Sequence, residues 1–527
     1  MPSSKQMISS ENPVWQLESI TSKAYFFIAD SFPVCTVSDE FYYFPQVVQQ
    51  EYDWSVWDDF SSAKVTLVAD RLRHFEQELL RLSTTKLPCD ELIDASLLHR
   101  TLRTLREQLL EVAPQSSQPT FHLLVLAAGL AQALSAEEKQ AWPDRVAGGV
   151  AFLRRAADCL EQVPELFMRL ALQMLDDLLS WLHQLQDIGK DVGELPMALR
   201  RFQSDMQQTK VIKSYRLPEA LIEKVVSEHI GCGVNIDTAV ALMHDELQAM
   251  EELLIVEAAS LAPGVSPVEA QRRVPVVDTA GDLLKLYLDE LSSLETHCRK
   301  QRLVPDNYPC GAALEVATIP QSLSAIRASD AYSASPGFPP CGGTFFVMER
   351  EGLGAGAMGR SLEYRMTAAH EAWPGHHLLD TCRWNLGRPL RRPLEFPLFY
   401  EGWACLAEEL MLRTGYFDGQ WDRFLLAKRR AQRAARGLVD LGLQSGRMRI
   451  DQAVDALVSV GYCPETARTV LPKYLLRPGY QVCYTFGLTQ GLELLDRFGK
   501  DDVSGFSRTV LMQGEIGFDQ LEKHWLK

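Results

Sequence analysis

Several features that would quickly assign a chain are missing from this one. Its eleven cysteines, an odd number, contain no C-x-x-C pair. Neither a thiolate zinc site nor a disulfide framework is therefore indicated, and Cys405 and Cys483 read as small buried thiols. There is no basic excess: 69 acidic residues face 53 basic ones, and no Lys/Arg stripe interleaves with aromatics, which excludes nucleic acid as the expected partner. No apolar run is long enough to span a bilayer. The most apolar window, Phe121 to Leu134, is short and carries His122 and Gln132. The opening stretch MPSSKQMISSENPVWQLES has one lysine and no apolar run behind it, so it does not read as a secretory leader. A cytoplasmic protein with no membrane partner is expected.

Strand signals are also few: YYFPQVV near 42 to 48, and GTFFVME at 343 to 349 after the Pro/Gly-rich loop SASPGFPPCGG. What remains is helical periodicity. In residues 63 to 82, Val65, Leu67, Val68, Leu72, Phe75, Leu79 and Leu80 recur at spacings of three and four, the mark of a helix with one buried face. Similar patterns fill 91 to 113, 147 to 187, 216 to 230, 237 to 261 and 277 to 299. They resume at 361 to 386, 398 to 415, 418 to 446, 450 to 459 and 465 to 476, and again after Pro478-Gly479. At 527 residues the chain has material for more than one lobe. The expectation is a mostly α fold with a small β element, an N-terminal helical lobe over 1–300 and a C-terminal lobe over 301–527 that carries the chemistry. The single chain sets no oligomeric state.

The chemistry is concentrated in AAHEAWPGHHLLD, residues 368 to 380. It approaches H-E-x-x-H, in which two imidazoles one helical turn apart hold a metal and the glutamate serves as base. Here the position four after His370 is Pro374, which lacks the N–H that would bond the His370 carbonyl, so the helix must distort. On an unbroken helix His377 would sit about 10 Å along the axis from His370, too far for one ion. A π-type widening around Pro374-Gly375 would bring His376 round instead. His376 is then the second ligand, with His377 in an outer or substrate-facing position. Glu371 is the candidate general base. Twenty-five residues on, FYEGWACLAEEL offers Glu401 as a third ligand on a returning helix, and Glu408, seven residues further on the same face, as a group orienting a ligand histidine.

Together HEAWPGHH, YEGWACLAEE, RAARGLVDLGL (433 to 443) and PGYQVCYTFG (478 to 487) resemble the bacterial domain-of-unknown-function family 885, a relative of the gluzincin metallopeptidases. The resemblance implies a large helical two-lobed fold with a deep central cleft and one zinc ion, replaceable by another divalent metal, held by His370, His376 and Glu401 with Glu371 as base. The last motif departs from the family's P-G-Q-A-x-x-Y by a residue, which leaves two candidates for the phenol that stabilises the oxyanion, Tyr484 first and Tyr480 second. GTFFVME would be the edge strand that receives an extended peptide. Arg433, with Arg436 and Asp440, would brace the metal helices or face substrate, and Arg477 would clamp a substrate carboxylate. The function this implies is a zinc-dependent hydrolase of peptide or related amide bonds acting on short substrates. Its rivals are hydrolysis of an amide in a small specialised metabolite, and an inactive helical binding protein with Pro374 as the scar of a lost site.

Overall fold

The computed structural model describes residues 12–47, 49, 52–82, 87–279, 282–308, 313–320, 323, 327, 329–334, 342–348 and 359–526. The fold is mostly α with small β elements, as periodicity predicts. The chain gathers into two compact units, one of Met1–Tyr215, Pro320–Arg327 and Gly387–Glu395, the other of Arg216–Ile319, Ala328–Leu386 and Phe396–Lys527. The helices between 216 and 300, grouped with the N-terminal lobe on sequence, thus cluster with the unit that carries the histidine motif.

In the first unit, helix Ser62–Leu82 buries Val65, Val68, Leu72, Phe75 and Leu79. Leu67 and Leu80 are instead exposed, at 56% and 54%, because their positions fall on the flanks of the apolar stripe. The apolar window forms Pro119–Leu134, a helix buried nearly all round, which is where continuous hydrophobicity belongs in a globular core. Among the described residues, no helix is long and apolar enough to cross a membrane. YYFPQVV does not form a strand: residues 42–44 turn and 45–47 are irregular, while Val48 lies outside the described residues. Pro45 has no N–H to give a ladder.

In the second unit, helices Ile236–Leu261 and Asp422–Gln444 pack together, as do Pro397–Arg413 and Val482–Leu494. The latter pair meets backbone to backbone. A Cβ at Gly402 would come within 2.6 Å of Gly487 Cα, so only glycine permits this crossing. The unit's three-stranded sheet corrects one expectation. Gly343–Val347 is its central strand, parallel to Leu314–Thr318 and antiparallel to Ala331–Ala334. A strand paired on both sides has no edge to offer a peptide. Of the loop before it, residues 335–341 lie outside the described residues, as does Glu349.

Candidate metal centre

Helix Tyr364–Glu371 stops just short of Pro374, and a second helix begins at His376. Between them the chain turns through residues 372–375, with a cis Trp373–Pro374 peptide. The turn is closed by Gly375 N–H donating to the Ala369 carbonyl at 3.0 Å and by Leu378 N–H donating to the Ala372 carbonyl at 3.2 Å. The expected π-type bulge inside one helix is therefore two helices separated by an open turn, because a bulge adds a residue to a helix whereas here four have left it. Gly375 is required by close approach: a Cβ there would overlap the His370 carbonyl. The Trp403 indole N–H donates to the Pro374 carbonyl at 2.9 Å, tying the turn to helix Pro397–Arg413.

This turn brings His376 beside His370. Both Nε2 atoms lie 3.4 Å from Glu401 Oε2. The two rings stand at 87° with centroids 4.9 Å apart. The three ligand atoms lie within 4.8 Å of one another, all on buried residues, and Glu401 Oε2 has no hydrogen-bond partner. Zinc–ligand distances of about 2.0–2.1 Å place tetrahedral donors about 3.3–3.4 Å apart, close to the two His–Glu separations. A buried carboxylate oxygen facing two imidazole nitrogens without a donor of its own is satisfied by a cation. The donor set therefore fits a divalent metal.

The surrounding groups fix each ligand's orientation. His370 Nδ1 lies 3.0 Å from Glu408 Oε1, and Glu408 in turn accepts from Arg429 Nε at 2.9 Å and Nη2 at 3.0 Å and from Arg433 Nη1 at 3.1 Å. Since an arginine never gives up its protons, Glu408 is the acceptor that lets Nδ1 carry the imidazole proton and leaves Nε2 with its lone pair. Burial lowers the His370 pKa, and its contacts with Cys405, Glu401 and Glu408 more than reverse this, holding it well above the usual histidine value. The pocket is built to hold positive charge. The Tyr480 phenol donates to Glu401 Oε1 at 2.9 Å, which leaves Oε2 facing the histidines. His376 is stacked on Tyr400, centroids 3.9 Å apart at 19°, and the Tyr400 hydroxyl donates to Asp380 Oδ2 at 3.2 Å.

Glu371 is buried, and its Oε2 accepts from Tyr332 N–H at 2.8 Å. Burial raises its pKa above the ordinary carboxylate value, and the neighbouring histidines work against that shift. Tyr484 is half-buried, its ring 6.5 Å from that of His370. Burial, then the nearby Glu401 charge, raises its pKa well above the phenol value, so it remains a proton donor at neutral pH. His377 is fully buried, between Trp373 and Tyr332, with Nδ1 3.3 Å from the Tyr332 hydroxyl. Burial pushes its pKa down to about 4, so it stays neutral.

Of the groups read as a brace or a clamp, Arg433 ion-pairs with Glu408. Asp440 pairs with neither arginine; it accepts from the backbone N–H of Gln481 at 3.1 Å and of Gly479, holding the turn that presents Tyr480. The Arg477 guanidinium carbon lies 5.6 Å from the Tyr480 ring centroid. Cys405 and Cys483 are buried free thiols. Sequence reasoning missed Trp403, Tyr332, Tyr400 and Arg429. Only Trp403 and Tyr400 stood inside a recognised motif, flanking Glu401 closely enough to have been named.

The model of a family described as bacterial proteins of unknown function, DUF885, matches residues 48–524. A comparison with curated proteins finds no match. Among solved structures the chain is similar to a "putative lipoprotein" from Colwellia psychrerythraea, at 14% identity and a TM-score of 0.78, covering 98% of this chain and 99% of that one. It is also similar to a "putative lipoprotein of unknown function" from Shewanella oneidensis, at 15% identity and a TM-score of 0.73, covering 98% of this chain and 100% of that one. Identities this low establish the shared fold alone. The descriptions of both neighbours overturn the expectation of a cytoplasmic protein, which rested on the opening residues, of which 1–11 lie outside the described residues.

Proposed function

Because this chain belongs to DUF885, a bacterial family of unknown function, we propose from its site chemistry that it is a metal-dependent hydrolase of peptide or related amide bonds, akin to the gluzincins, with zinc as the fitting ion. One observation carries the reading: His370, His376 and the unpartnered Glu401 Oε2 converge within 4.8 Å, with a buried glutamate adjacent in sequence to the first ligand. His370 and His376 through Nε2, and Glu401 through Oε2, would hold the ion, which when bound supplies a Lewis acid for water and for a carbonyl oxygen. Glu371, held through Oε2 by Tyr332 N–H, has Oε1 available to take the proton of the attacking water and to return it to the departing amine. Its raised pKa suits a group that must both accept and release that proton. Tyr484 donates its phenol hydrogen to the charge that develops on the carbonyl oxygen. Tyr480 donates to Glu401 Oε1 at 2.9 Å and so orients that ligand; Tyr484 also bonds Glu401, and its ring lies 6.5 Å from that of His370.

The test is digestion of a diverse peptide pool read by mass spectrometry, comparing zinc-loaded native protein, chelated protein and Glu371→Gln. Cleavage by the first alone, with metal retained by Glu371→Gln, is the expected result. Cleavage unchanged by chelation and by Glu371→Gln refutes the reading. We also propose a location outside the cytoplasm, supported by the descriptions of both structural neighbours; cell fractionation that recovers the protein only with cytoplasmic markers refutes it.

A further inference from the structure

Arg436 differs from the other arginines of helix Asp422–Gln444 that are not exposed. Arg429 and Arg433 pair with Glu408, and Arg430 pairs with Glu246. Arg436, one turn beyond Arg433, pairs with no carboxylate among the described residues. Its neighbours are phenols: the guanidinium carbon lies 4.5 Å from the Tyr484 ring centroid and 5.8 Å from that of Tyr474, with Tyr462 alongside. The Tyr474 hydroxyl oxygen accepts one hydrogen bond from Arg436, but Arg436 Nε is buried and has no partner. A guanidinium keeps its charge at any physiological pH. Aromatic faces attract that charge, yet they leave in-plane N–H donors unsatisfied, and a carboxylate satisfies two at once.

The position of Arg436 gives this a direction. Tyr484 is a neighbour of both Arg436 and the metal cluster, its ring 4.5 Å from the guanidinium carbon and 6.5 Å from the His370 ring, so the guanidinium carbon is at most about 11 Å from that ring. In a forked pair the carboxylate carbon sits about 4 Å from the guanidinium carbon. In a peptide the terminal carboxylate lies within about 4 Å of the preceding amide carbonyl. Those two steps together span most of that largest separation, so a carboxylate on Arg436 brings the last amide of its chain within reach of the histidine cluster.

We infer that Arg436 receives the free carboxylate of the substrate, and that the substrate class is peptides or N-acyl amino acids hydrolysed at their final amide bond. The hydrolysis rests on the proposed function; the anion site does not, and it is tested without turnover. Zinc-loaded Glu371→Gln protein is incubated with a pool of N-acetyl dipeptides as free acids and the same pool as C-terminal amides, and retained ligands are measured by mass spectrometry. Acids are expected to be retained at least about tenfold over amides. Adding Arg436→Gln should abolish that preference with zinc content and circular dichroism unchanged, and Arg436→Lys should restore part of it. Equal retention of acids and amides, no retention of either, or a preference that survives Arg436→Gln overturns the inference. Native enzyme that cuts peptides while Glu371→Gln shows no acid preference refutes the carboxylate site and leaves the hydrolase reading standing. An Arg436-dependent acid preference in a protein that cuts nothing does the reverse.

Discussion

Replacing Glu408 by glutamine keeps the volume and removes one acceptor from a group that serves Arg429, Arg433 and His370 together. The amide offers one carbonyl oxygen and presents two hydrogens toward donors that need an acceptor. Neither arginine can release a proton, so the imidazole yields. With Arg433 Nη2 3.2 Å from His370 Nδ1, Nδ1 becomes the acceptor and the proton moves to Nε2, where it blocks the ligand lone pair. Loss of an outer partner typically weakens metal binding 10- to 100-fold. Because the tautomer itself is reversed, the expected loss is at the upper end, about 100-fold or about 2.7 kcal/mol. Zinc affinity measured by competition with a chelator reads this directly. Glu408→Gln combined with Arg433→Gln removes the competing donor and should recover about tenfold of the loss, whereas a merely structural effect would grow with the second substitution. Zinc affinity of Glu408→Gln within twofold of native, or a double variant weaker than the single one, refutes the tautomer argument.

Glu401→Ala should abolish stoichiometric zinc, measured by elemental analysis after dialysis; retained metal would reject it as a ligand. Zinc at about 100 times its dissociation constant should stabilise the native protein by about 2.7 kcal/mol against unfolding, and chelation should remove this, read as a shift in denaturation midpoint. Burial pushes the Asp440 carboxyl up to about 7 from 3.8, so the folded protein holds this proton more tightly than the unfolded chain, and stability falls as pH rises from about 4 to about 7. Asp440→Asn escapes that penalty, and its stability relative to native should grow by about 2–3 kcal/mol between pH 5 and pH 8 in urea titrations. A constant difference would show that the proton is absent. Gly402→Ala should destabilise by about 3 kcal/mol or more through overlap with Gly487, while Gly491→Ala, which meets only the movable Leu406 side chain, should lie within about 1 kcal/mol of native; similar midpoints for both would refute the close crossing.

The helical class was legible because a spacing of three and four survives in single segments. So was the pairing of His370 with His376, since Pro374 forbids the regular alternative. The form of the turn was not legible: it depends on hydrogen bonds from Gly375 and Leu378 and on Trp403, 29 residues away. The place of Gly343–Val347 was hidden for a related reason. A strand is central or at an edge according to its partners, and LEVAT at 314 to 318 and AYSA at 331 to 334 are too short and too mixed to declare themselves. Tyr480 and Tyr484 could not be told apart by motif, because both reach Glu401 and only the packed helices show that Tyr480 holds the 2.9 Å bond to Oε1. Arg433 was legible as a brace only in outline. Its partner Glu408 and the second arginine, Arg429, come from positions whose convergence only the packed helices reveal.

The contact between Gly402 and Gly487 has a mechanical consequence. Most helix crossings are filled by side chains that can change rotamer and so absorb compression, but here two backbones touch with nothing movable between them. Glu401 and the phenol of Tyr484 are each within three residues of this contact, so hydrostatic pressure should leave their spacing nearly unchanged while looser parts of the molecule yield.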